Sequence, residues 1–194
     1  MTSLDNMIIA GFLDSAAGNS KGGGDYAAIA TVGMDGDGYF YALDLWLQRA
    51  APTKQISAMF DLHKRWRYTH FGIETNCFQQ LLLLPIEEER KRRKQANERD
   101  RNGQAAWQLP LHPINHHQNK ETRIATLEPL LSNGWLRLSA DLPEEFWNQL
   151  ACFPRGKHDD ALDALEGAIS LLRNMKVESR ASKPRATVRK MKNF

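Results

Sequence analysis

Cysteine is scarce in this sequence. Cys77 and Cys152 are far apart and form no CxxC pair. A zinc site built from cysteines is therefore not expected, and a reducing compartment is the simplest setting. No stretch reaches the roughly 18 consecutive apolar residues that a membrane span needs, so no membrane partner is expected. The first residues, MTSLDNMIIAGFLDSAAG, carry an acid early and no basic region, which reads as the start of a fold and not as a signal peptide. Charge of one sign is not in large excess: the net charge is +3, too mild to imply a nucleic-acid partner by itself. No GxxxxGK(S/T) phosphate loop occurs, because GNSKGGGD has those residue types in the wrong order.

What is present suits one folded domain. The chain has 194 residues, 42% of them hydrophobic, which is enough for a core. MIIAGFLD (7–14) reads as a buried strand ending in an acid, and the glycine-rich GNSKGGGD after it as a loop. YAAIATVG (26–33) and YFYALDLW, separated by Met34-Asp35-Gly36-Asp37-Gly38, read as two strands joined by a hairpin turn. From Pro52 to about Tyr68, apolar residues recur at helical spacing. HFGIE (70–74) is a short strand, and residues 77–84 begin a helix that Pro85 kinks or ends. The charged segment Glu87–Arg101 reads as a solvated helix or a loop. QLPLHPI (108–114) suits an edge strand, Glu121–Leu131 one helix, Trp135–Leu138 a strand and Pro143–Ala151 a short helix. A last helix runs from His158 to about Arg173. The lysine- and arginine-rich remainder has one acid, Glu178, and reads as disordered. The division expected is a domain over 1–175 and a tail over 176–194. The fold class is α/β: a three-strand antiparallel meander plus parallel strands in a mixed sheet flanked by helices.

Three acidic positions stand at the ends of elements. Asp14 closes the first strand, Glu74 the fourth, and Asp159, Asp160 and Asp163 open the last helix. If strands one and four are parallel neighbours, their ends adjoin and the last helix crosses them. Converging carboxylates repel, and burial raises the cost, unless a cation joins them. Hard oxygen donors suit Mg²⁺ or Mn²⁺, and a pair of such ions can drive phosphodiester hydrolysis. Each acid also has a plainer reading. Asp14 could be a turn former, and the 158–160 acids could cap a helix. Glu74 lies beside Phe71 and Ile73 with little structural reason to be charged. Asp163 sits a turn inside an apolar helix, where capping does not require it.

FLDSAAG, then FGIETN, then GKHDDALDAL together resemble the nuclease domain of the large terminase subunit of tailed bacteriophages, over about Met7 to Leu172. The resemblance implies a ribonuclease H-like fold, two Mg²⁺ or Mn²⁺ ions, and cleavage of concatemeric double-stranded viral DNA during packaging in the host cytoplasm. It implies as partners the terminase ATPase domain, the small terminase subunit and the portal protein. Carried over, Asp14 bridges the ions, Glu74 binds one of them, and Asp160 is the first choice among Asp159, Asp160 and Asp163 to complete the catalytic set. Lacking a phosphate loop, the chain is expected not to power packaging itself.

Other residues are secondary candidates. His158 could orient water or a phosphate. Arg155, Lys157, Lys120 and Arg123 could touch DNA phosphates. His112, His116 and His117 look like a metal cluster, but the carboxylate site argues against it. The five tryptophans are expected mostly in the core, and the basic tail as a salt-sensitive attraction to DNA. The rivals are a Holliday-junction resolvase, a DNA-clamping module without catalysis, and an actin-like ATPase, for which the chain is too short.

Overall fold

The computed structural model describes residues 4–15, 26–74, 82–116 and 118–181. The loop GNSKGGGD, Cys77, the start of the apolar run at 77–81, His117 and the tail from 182 onward lie outside the described residues. After a single 3-10 turn at Leu4–Asn6, strands β1 (Ile8–Asp14), β2 (Ala27–Met34) and β3 (Phe40–Gln48) form the antiparallel meander. Helix α1 (Pro52–Trp66), β4 (His70–Glu74), α2 (Leu83–Gln95) and β5 (Leu111–Ile114) follow. Then come α3 (Lys120–Ile124), α4 (Leu127–Ser132), β6 (Leu136–Leu138), α5 (Glu144–Cys152) and α6 (Asp160–Ala181).

The strands make one six-stranded sheet in the order β5-β4-β1-β2-β3-β6. β4 runs parallel to β1, β5 parallel to β4, and β6 parallel to β3. β5 is an edge strand, as its proline requires. The β2–β3 turn forms because Asp35 Oδ1 accepts hydrogen bonds from the amides of Asp37, Gly38 and Tyr39. Gly38 has φ of 94°, a backbone conformation that a side chain would disfavour.

Two apolar layers cover the sheet. One face packs Leu13, Ile29, Phe71 and Ile73 against Ile56, Met59 and Phe60 of α1 and Ile86 of α2. The other packs Phe12, Ala28, Ala30 and Val32 against the apolar side of α6, from Ala161 to Leu172. Helix α6 is buried along most of that length because it crosses the centre of the sheet, over β1 and β2.

Some expectations fail for identifiable reasons. The single helix expected over Glu121–Leu131 is two, α3 and α4. Pro129 has no amide hydrogen, and its ring excludes a helical carbonyl four residues earlier, at Ala125, where the break falls. Helix α6 continues past Arg173 to Ala181. None of the five tryptophans is in the buried core: Trp135 and Trp147 are exposed and the other three half-buried, with Trp46 and Trp66 packed against the layer under α1.

Candidate active site

Alternation along the strands decides where the acids point. Leu13 and Ile73 are partners across β1 and β4, and both lie in the layer under α1. Their predecessors Phe12 and Gly72 face α6: Phe12 packs in that layer, and a Cβ on Gly72 would meet the Phe12 ring at 2.5 Å. Side chains alternate in a strand, so Asp14 and Glu74 both rise on the α6 face. They do so at the C-terminal ends of adjacent parallel strands.

Helix α6 supplies the other acids. The amides of Leu162 and Asp163 bond to the carbonyl of Asp159, which makes Asp159 the capping residue. Asp163 follows one turn later and is 4% exposed, as befits a residue pressed against the sheet.

A lysine joins the two sets. Lys120 Nζ lies 3.3 Å from Asp14 Oδ2, 3.0 Å from Asp159 Oδ1 and 3.3 Å from Asp163 Oδ2. Acids from opposite ends of the chain thus share one positive nitrogen. Burial pushes the Asp14 carboxyl up to about 7; Lys120 opposes this, while Asp163, Asp160 and Glu74 add to it. Glu74 and Asp160 therefore belong to the same electrostatic neighbourhood as the three acids on Lys120. Burial works against the charge of Lys120, but Asp14, Asp163 and Asp159 outweigh it and hold its pKa above the ordinary lysine value.

Lys120 is held in place by local structure. The Asn119 side chain caps α3 by accepting from the Glu121 amide at 2.8 Å. One turn on, Arg123 is buried at 7% exposure and reaches Asp163 Oδ1 at 2.8 Å and Glu166 Oε2 at 2.9 Å. Arg123, a possible DNA contact by sequence, has its guanidinium fork buried between two carboxylates. Asp163 uses one oxygen for Arg123 and the other for Lys120, which fixes the carboxylate's orientation.

The remaining candidates are spread around this centre. His158 Nδ1 stands 3.8 Å from Asp160 Oδ2. Arg155 and Lys157 are exposed just before α6. His112 meets His70 at 3.1 Å across β4 and β5, and His116 lies 3.5 Å from Arg123 beside Phe12. Burial, then Arg123, keeps the His116 pKa below its ordinary value.

Three participants were not foreseen. Glu166 lay in the sequence as a third acid on α6, a turn beyond Asp163, and its spacing was the available signal. Tyr26 and Arg49 carried none. The pairing of Ala27 with Gln48 makes them neighbours, with Arg49 4.5 Å over the Tyr26 ring and Tyr26 edge-on to His158 at 5.2 Å.

The carboxylates fit a hard divalent cation. Their oxygens are the right donors, and the position they surround already attracts positive charge. Among the described residues, no three His, Cys, Asp or Glu side chains form a finished ligand set; the acids gather around Lys120 instead.

Comparison with known proteins agrees with this architecture. The human cytomegalovirus terminase nuclease domain (Mn soaked, inhibitor bound) is similar with a TM-score of 0.61 at 14% identity, over 92% of this chain and 89% of that one. The large terminase nuclease from thermophilic phage G20c gives 0.57 at 13% identity, over 86% and 83%. Thermus thermophilus RuvC gives 0.50 at 14% identity, over 88% and 96%. No curated protein sequence matches the chain. Residues 11–172 match the terminase RNaseH-like domain, and the chain belongs to that family.

Proposed function

We propose that this chain is a metal-dependent endonuclease that cuts concatemeric double-stranded viral DNA during genome packaging, as the nuclease part of a large terminase. The observation that carries this reading is the convergence of Asp14, Asp159 and Asp163 on one cation position, with Glu74 and Asp160 beside them. That the cytomegalovirus relative was soaked with Mn, and that its description calls it a nuclease domain, supports the choice of ion and reaction. The terminase ATPase domain, small subunit and portal protein are the partners this reading implies.

Asp14, Glu74 and Asp163 would hold the ions, with Asp159 closing the outer side. Contact with Lys120 favours Asp159 and Asp163 over Asp160, the first choice from sequence, for the shared position. Two divalent ions bound there would polarise the phosphoryl oxygens and acidify the attacking water. The chain's own residues do the rest. Arg123 keeps the Asp163 carboxylate turned toward the site. His158 Nδ1 stands 3.8 Å from Asp160 Oδ2, and its imidazole would orient the water. Arg155 and Lys157 contact backbone phosphates, which position the duplex without reading sequence. Water attacks phosphorus in line with the departing 3′ oxygen, and no covalent enzyme intermediate forms.

Nicking of supercoiled plasmid in Mn²⁺ tests the reading. D14N and E74Q should fold normally and lose more than about a hundredfold in rate. Unchanged nicking would leave the acids structural and the chain a DNA-clamping module. The likeness to RuvC favours a second reading, a resolvase-like nuclease. Preference for a four-way junction over linear duplex in a gel assay would decide for it.

A further inference from the structure

Lys120 pairs with Asp14 at the end of β1 and with Asp159 and Asp163 at the start of α6, and the proposed function leaves it without a task. Its ammonium occupies the position that a cation shared by Asp14, Asp159 and Asp163 would take. Its nitrogen–oxygen distances are 3.0–3.3 Å, whereas Mg²⁺ binds carboxylate oxygen at about 2.1 Å. A divalent ion doubles the charge and sits about 1 Å closer to each oxygen, which makes it a competitor of the ammonium for these carboxylates. The two basic residues of α3 differ in mobility. Arg123 is sealed between Asp163 and Glu166, while the Lys120 side chain is 39% exposed on a flexible stem. The root of α3 can thus stay fixed while the lysine head moves.

We propose that Lys120 is a two-position residue. In the metal-free protein it is a tethered counter-cation that holds the acidic cluster together. When divalent ions enter it is displaced toward the mouth of the site, where its ammonium meets a non-bridging oxygen of the scissile phosphate. Lys120 is then both a competitor of metal binding and a contact in the reaction. This inference rests on the proposed nuclease reading.

Divalent ions should bind the wild-type protein, only less tightly than they bind a variant that lacks the Lys120 ammonium.

The experiment is a calorimetric Mn²⁺ titration of the full chain without DNA, for wild type, K120M, K120R and D14N, with thermal melts with and without Mn²⁺. A plug occupied ten to one weakens apparent affinity about tenfold. K120M should therefore bind Mn²⁺ about tenfold more tightly than wild type. It should also melt lower without metal and gain more in melting temperature when Mn²⁺ is added. K120R, which keeps the charge, should behave more like wild type in affinity. At saturating Mn²⁺, K120M should nick plasmid at least about tenfold more slowly, because a phosphate contact is lost. Mn²⁺ affinity in K120M equal to or weaker than wild type overturns the proposal. It leaves the nuclease reading intact provided wild type binds Mn²⁺ and D14N does not. A wild-type chain that binds no Mn²⁺ overturns both.

Discussion

Replacing Gly167 with alanine tests whether packing under α6 positions the site. Taken alone, a glycine inside a helix costs stability, and alanine there should gain about 1 kcal/mol. The surroundings argue for the opposite sign. A Cβ at Gly167 would lie 2.6–2.7 Å from three ring atoms of Phe12 on one edge. The other ring edge is already against Gly72, where a Cβ would fall 2.5 Å away. The ring is clamped between β4 and α6 and cannot yield to either side. Carbon atoms pack at about 3.5–4.0 Å, so α6 would have to lift by about 1 Å. Overpacking of this kind costs about 1–3 kcal/mol, which outweighs the helix-propensity gain. The net expectation is a loss of about 1 kcal/mol and a fall in melting temperature of roughly 3 °C for a chain of this size. Lifting α6 also carries Asp159 and Asp163 away from Asp14. Metal–ligand distances tolerate only about 0.2 Å, and a 1 Å misplacement costs about a hundredfold in rate. Urea denaturation and Mn²⁺-dependent plasmid nicking measure the two effects. Adding F12L to G167A removes ring atoms at the clash and should restore part of the activity. A G167A variant that is more stable and fully active would refute the reasoning.

Arg123→Met should be among the most damaging substitutions in the protein. It leaves Asp163 and Glu166 buried without their cation and should cost about 3–5 kcal/mol in urea denaturation, whereas a loss under about 1 kcal/mol would mean that both carboxylates find other partners. In the metal-free protein, Asp14 should make stability fall as pH rises. Burial lifts its pKa to about 7 from an ordinary 3.8, so its contribution is complete below 3.8 and lost as pH rises through 7, on the order of 4 kcal/mol in all. Asp14→Asn should flatten that limb of the melting-temperature profile. His63 acts in the opposite sense: burial lowers its pKa to about 4 from 6.5, so its contribution is present above 6.5 and lost as pH falls toward 4. His63→Phe should remove that acid-side loss; a profile unchanged by it would contradict the assignment.

Much of the fold was legible from hydrophobic pattern and turn chemistry. The meander followed because Asp35, Gly36 and Gly38 mark a turn between two apolar runs, and the edge position of β5 followed from Pro113. The break between α3 and α4 was legible too, in Pro129, but the good helix formers around it masked the signal. The reach of α6 beyond Arg173 was hidden by a basic composition that helices and disordered segments share. At the site, Asp14 and Glu74 stood out at strand ends and Asp163 inside an apolar helix, whereas Asp159 and Asp160 at the helix start also had capping as a plain reading.

The acids led the candidates chosen from sequence, since a carboxylate at an element boundary is a local fact that the chain order displays. How the acids are counterbalanced is not local. Lys120 and Arg123 are one turn apart on a short helix and look interchangeable as surface cations. Only the fold sends Arg123 into a buried carboxylate pair and Lys120 to the centre of the cluster. Pairing of β1 with β4, the Phe12 clamp and the path of α6 set those partners across more than a hundred positions of sequence, and electrostatic partners at that separation are determined by packing and not by pattern.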